Sequence, residues 1–139
     1  MTPLEEIYDL LDKKLNLSKE EIDQAVETNI YLKKVIAPDV YQVIKKFESF
    51  GLEDSEIAQI AKRNPWMLTE SFERIKYLKE FYGLVDLTEY KELLIKQPIA
   101  MSVNPIEVKE VIEKLQKQGK TNEEIRNILI NNFTEHISL

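Results

Sequence analysis

The sequence predicts an all-α fold, a superhelical stack of about four helix–turn–helix repeats with short Pro-initiated third turns. Three observations predict it. Gly51, Gly83 and Gly119, the chain's 3 glycines, fall at one place in a recurring unit, and Asn16 stands where a fourth would be, with separations of 35, 32 and 36 residues. After each anchor comes an apolar triplet spaced i, i+3, i+4, which sets three side chains on one helical face. The triplets are Ile22, Ala25, Val26; Ile57, Ile60, Ala61; Tyr90, Leu93, Leu94; and Ile125, Ile128, Leu129. Finally, Ser18 with Glu21, Asp86 with Glu89 and Thr121 with Glu124 each make an S/T/D-x-x-E capping pattern immediately ahead of a triplet.

The units run approximately over residues 2–38, 39–69, 70–103 and 104–135 of a single 1–139 domain. In the first unit Thr2-Pro3-Leu4-Glu5 combines an N-cap, Pro at N1 and Glu at N3. Asp9 and Asp12 occupy places that are apolar in the second unit, and Leu11 moves the stripe by one residue, so this helix is expected to be rotated slightly. Asn16 closes it, and Ser18 opens the partner helix. In the second unit Asp39 with Gln42 marks the start, and Val40, Val43, Ile44 and Phe47 form a clean amphipathic stripe. Gly51 closes that helix in the left-handed conformation. Glu53 is a poorer cap for the next, with Asp54 as a substitute.

Thr69 or Ser71 before Phe72 marks the third unit. Lys76, Lys79 and Leu78 repeat the shift seen at Asp9, Asp12 and Leu11. The fourth opens on Asn104-Pro105-Ile106-Glu107, with Val108, Val111, Ile112 and Leu115 as its stripe. Proline breaks the chain after the second helices, at Asn64-Pro65-Trp66-Met67-Leu68 and Gln97-Pro98-Ile99-Ala100-Met101. Asn29-Ile30-Tyr31-Leu32 is the weaker counterpart, and Phe133 takes the proline place in the fourth unit, which reads as a capping repeat.

This pattern resembles the mTERF family, the mitochondrial transcription termination factor-like proteins. The residues that carry it are Phe50-Gly51-Leu52, Asn64-Pro65-Trp66-Met67-Leu68-Thr69, Tyr82-Gly83-Leu84, Leu94 to Ser102, and Leu115 to Gly119. The good match covers residues 40–130, and residues 1–38 echo it. The resemblance implies repeats of two helices and a short third one introduced by proline. Family members are usually basic nucleic-acid binders with more repeats, bearing Arg and Lys along a groove. This chain departs from that in having about four units and a net charge of −6.

Charge bears on the partner. Quarters cut near residues 38, 71 and 104 carry −3, −2, 0 and −1, so no quarter is basic. Nucleic-acid domains draw affinity from neutralising phosphates, which an acidic chain does poorly. No apolar run approaches the ~20 residues that cross a bilayer. The N-terminus has neither the basic nor the apolar region of a signal peptide, and cysteine is absent, so a cytoplasmic location is expected.

Catalysis has little support. The single histidine, His136, sits near the C-terminus with no second His and no Cys to join it. No phosphate loop or nucleophile elbow is present. The acidic clusters at Glu5, Glu6, Asp9, Asp12 and at Glu20, Glu21, Asp23 suit first-turn carboxylates and i,i+4 ion pairs better than a metal. No enzyme activity, metal or cofactor is therefore expected. The expected function is a non-enzymatic scaffold that binds another protein through a face including Trp66, Lys62, Arg63 and Lys96. For Trp66 the competing role is a packing slot between repeats, shared with Tyr31 and Ile99.

The alternative is an mTERF-like nucleic-acid-binding regulator, in which Lys62, Arg63 and Lys96, with Lys33, Lys34, Lys45, Lys46, Arg74 and Lys76, line a phosphate-tracking groove. A third reading is self-assembly through an uncovered end carrying Leu4, Ile7 and Leu11.

Overall fold

The computed structural model of the protein describes residues 1–70, 87–98, 100, 103–132 and 135. Among them are seven α-helices and no strand. The helices are α1 Pro3–Leu15, α2 Lys19–Thr28, α3 Ala37–Ser49, α4 Asp54–Arg63, α5 Leu87–Lys96, α6 Pro105–Lys117 and α7 Asn122–Asn131. Two 3₁₀ turns, Ile30–Lys33 and Pro65–Thr69, follow α2 and α4. The fold is an all-α helical repeat. The chain divides into two compact units, Met1–Phe72 and Glu73–Leu139.

In the first unit two helix pairs, each with its 3₁₀ turn, share one core. Helix α1 packs on α2, α3 and α4, and the second 3₁₀ turn packs on α3 and α4. Ile7, Leu11, Ile22, Leu32, Ile44, Phe47, Ile57, Ile60 and Met67 are its largest fully buried side chains. Burying each such side chain is worth roughly 1.5–3 kcal/mol, which outweighs the weak helix preference of the β-branched residues among them. The predicted stripe Val40, Val43, Ile44, Phe47 is buried throughout, as are both predicted triplets of this unit. Helix α1 buries Ile7, Leu11 and Leu15 instead of the positions matching the α3 stripe, which is the expected rotation.

The local signals act as their chemistry requires. The Thr2 hydroxyl accepts the Glu5 N–H at 3.1 Å, and the Glu5 carboxylate accepts the Thr2 N–H at 3.3 Å. Ser18 and Glu21 do the same at 3.1 and 2.9 Å, and Thr121 and Glu124 at 3.1 and 3.0 Å. Asn16, Gly51 and Gly119 take φ of 54°, 86° and 82°, the left-handed turn that ends each first helix.

One predicted start needs correction, that of α3, while Glu53 caps α4 as expected. Helix α3 begins at Ala37, ahead of Asp39, with Pro38 inside its first turn and Asp39 adding its charge there. Proline's missing N–H costs nothing where no carbonyl awaits it. Helix α4 is capped from Glu53, whose N–H donates to Glu56 Oε1 at 2.9 Å, and Asp54 is the first helical residue. Glu56 thus supplies the closing carboxylate. Thr69 belongs to the 3₁₀ turn.

In the second unit α7 packs on α5 and α6. Leu93, Leu94, Val108, Leu115, Ile125 and Leu129 are buried, while Val111, Ile112 and Ile128 are half-buried. Pro98 and Ala100 have 3₁₀ geometry after α5, at the predicted break. Gly83, the Asp86–Glu89 cap, Ser71, Arg74, Lys76, Tyr77, Leu78, Lys79, Phe81, Tyr82, Ile99, Met101, Phe133 and His136 lie outside the described residues, as does the Tyr90 side chain.

Candidate interaction surface

The 3₁₀ turns of the first unit place the residues of interest. Each turn starts from a buried asparagine, Asn29 at 0% and Asn64 at 2% exposure, the two buried polar residues among those described. The Asn29 carbonyl accepts the Leu32 N–H at 3.1 Å and the Asn64 carbonyl accepts the Met67 N–H at 3.2 Å, so the two turns are built alike. The Asn29 side chain then joins them. Its Oδ1 accepts the Tyr31 N–H at 3.2 Å, while its Nδ2 donates to the Pro65 carbonyl and to Thr69 Oγ1, both at 3.0 Å. A buried amide pays its desolvation only by such partners, and here each polar atom has one.

This junction holds Trp66 next to Tyr31. The ring centroids are 5.9 Å apart at an interplanar angle of 64°, an edge-to-face pair. Trp66 is 39% exposed and Tyr31 50%. The adjacent Ile30 is exposed as well. The Lys34 ammonium sits 5.5 Å from the centroid of the Tyr31 ring. Trp66 thus packs against a residue of the preceding turn while part of its side chain stays exposed.

Several of the predicted cations have partners within their own unit. Lys62 reaches back to Glu21 on α2 at 3.4 Å. Arg63 ends α4 next to the Asn64 cap, where a cation complements the helix dipole. Lys96 lies in the second unit, paired with Glu92 at 2.8 Å and 3.3 Å from Asn131 Oδ1. Lys45 pairs with Glu48 at 3.2 Å and lies over Tyr41, and Lys46 lies over Phe50. Lys14 bridges Glu48 at 2.7 Å and Asp54 at 3.3 Å, tying α1 to the ends of α3 and α4. Its hydrogen bond to Glu48 is the main reason that the Glu48 carboxyl is held below its ordinary range and the Lys14 ammonium above its own. Most of these cations already face carboxylates or rings of the same chain.

Repeats built from two helices and a short turn, with an Asn-Pro break and a left-handed glycine, describe one family. The mTERF family model matches residues 4–139. The chain belongs to the mTERF family. The match takes in residues 4–39, where the motifs are weakest, so this mTERF-family chain carries the pattern through nearly all of its length. No curated protein matches it, and no solved structure does.

Asn29 is the residue that sequence reasoning missed in this family's repeat. Its signal was available: amides recur at Asn29, Asn64, Gln97 and Asn132, 13, 13, 14 and 13 residues after the four anchors. Gln97 likewise reaches the following repeat, its Nε2 donating to the Asn131 carbonyl at 3.4 Å in the second unit. No described group of three or more His, Cys, Asp or Glu residues could hold a metal ion, and no described helix is long and apolar enough to cross a membrane.

Proposed function

We propose that this mTERF-family chain is a non-enzymatic helical-repeat module that binds another protein through the surface around Trp66 and Tyr31. The observation that carries this reading is the outward-facing aromatic pair, held by buried hydrogen bonds within an acidic unit. Residues 1–72 contain nine basic and fourteen acidic side chains, a net charge of −5. Rigid aromatic residues with one buried and one wet edge are common anchors at protein interfaces. An acidic unit most of whose cations already face carboxylates or rings is a poor match for a phosphate backbone. A cytoplasmic setting fits the absence of cysteine.

Family membership favours a second reading, a regulator that binds DNA or RNA along the repeats. The same rings could then stack on bases, with Lys34 beside them.

Fluorescence anisotropy of labelled single- and double-stranded DNA and RNA separates the two. Phosphate contacts are strongest at low salt. No binding there supports the protein-binding reading. Tight binding that weakens steeply as salt is raised replaces it with the second. Trp66 is the chain's 1 tryptophan, so its emission reports directly on whether any bound molecule reaches this surface.

A further inference from the structure

A second surface of the first unit lies between α1 and the start of α2, where a groove of about 610 Å³ opens. Leu4 and Tyr8, one helical turn apart on α1, and the buried Ile22 on α2 give it an apolar lining. Asp9, Asp12 and Asp23 bring carboxylates to it. The rotation of α1 is the cause: with Ile7, Leu11 and Leu15 turned to the core, Leu4, Tyr8 and Asp12 fall on the neighbouring face. The Tyr8 hydroxyl donates to Asp23 Oδ1 at 2.5 Å, joining one wall to the other. Lys19, the basic side chain in the lining, is engaged by Asp23 at 3.0 Å, and Asp9 by Lys13 at 3.0 Å. Among the described residues Asp12 has no ion-pair partner.

We infer that this groove takes a basic amphipathic helix from a partner protein. Apolar side chains at i, i+3 and i+4 would sit on Leu4 and Tyr8, above the buried Ile22, and flanking Lys or Arg would meet Asp9 and Asp12. Charge selects this occupant over the others. A second copy placed groove to groove sets like carboxylates against each other, as a two-fold contact must. Nucleic acid and anionic lipid meet the same repulsion. The inference shares the protein-binding reading but uses a different surface, so a change at Trp66 separates them.

The test is anisotropy of a fluorescein-labelled leucine–lysine amphipathic peptide, with a leucine–glutamate peptide as control, titrated with the full chain. Leu4→Asp and Asp12→Lys change the groove, both at positions that face out of the core, and circular dichroism checks their folding. Expected is salt-sensitive binding of the leucine–lysine peptide alone, weakened roughly tenfold by each groove variant and unchanged by Trp66→Ala. Backbone amide NMR shifts should then map to α1 and α2. Equal binding by the groove variants, or shifts gathered around Trp66, overturns the inference. So does a concentration-dependent dimer in analytical ultracentrifugation that Leu4→Asp disperses, because the occupant is then a second copy.

Discussion

At the residue scale the Asn29 side chain concentrates the most structure in one group. It caps its own turn and donates to two atoms of the next, 36 and 40 residues away. Removing it strands the buried Pro65 carbonyl and the part-buried Tyr31 N–H. Asn29→Ala should therefore cost about 2 kcal/mol in urea denaturation. Asn29→Asp should cost at least as much, since it buries a charge and puts an oxygen where the Pro65 carbonyl needs a donor. Gly51 gives a cleaner case. A Cβ there would meet nothing within 4 Å, so the whole penalty of Gly51→Ala is its φ of 86°. That penalty is about 1–2 kcal/mol. Gly51→Asn should lose less, because asparagine already holds this conformation at position 16. If both variants unfold at the same urea concentration, the left-handed turn is not what the glycine provides.

Among the elements, the helix ends were legible and the helix contacts were not. A capping box or a left-handed C′ residue involves atoms within a few positions of one another, so Thr2, Ser18 and Thr121 could be assigned on sight. Asp39 misled because a carboxylate suits a helix start both at the cap and inside the first turn, and here it lies inside. The Lys14–Glu48–Asp54 cluster was not foreseen at all, since it depends on how α1 lies against α3 and α4. It also makes a pH prediction. The folded-state pKa of Glu48 lies below its ordinary value, so its share of stability is present above that value and is lost as pH falls through the folded one. Lys14→Met removes the main cause of the shift and leaves two carboxylates together. The variant should thus be less stable than the parent at pH 7, and the gap should close as the medium is acidified below about pH 4. A gap that persists in acid would mean that Lys14 acts through the packing of its stem rather than its charge.

For the molecule as a whole, membership of the mTERF family and the charge balance pull in opposite directions. Surface chemistry has to decide between them. Trp66 is where the decision can be read, because its ring is divided between packing and solvent. Trp66→Ala should fold, with a helical circular dichroism spectrum and a stability loss of about 1 kcal/mol from the edge-to-face contact. A much larger loss would make Trp66 a packing residue and move the candidate surface elsewhere. The self-assembly reading has already narrowed, since Ile7 and Leu11 are buried within the first unit and only Leu4 of that trio reaches the surface.

The amino-acid order alone determined that this chain is helical, where most helices begin and end, and that its units recur with an mTERF-like break. Each of those properties follows from interactions a few residues long, which a linear reading can follow. Only the tertiary structure decided that Asn29 would meet Pro65 and Thr69, that Tyr31 would meet Trp66, and that Lys62 would be held by Glu21. Those pairs lie 35 to 41 residues apart. Whether they touch depends on the rotation and rise between successive helices. A one-residue shift of the α1 stripe, about 100° of rotation, changes which side chains a neighbour finds and opens the groove beside Tyr8.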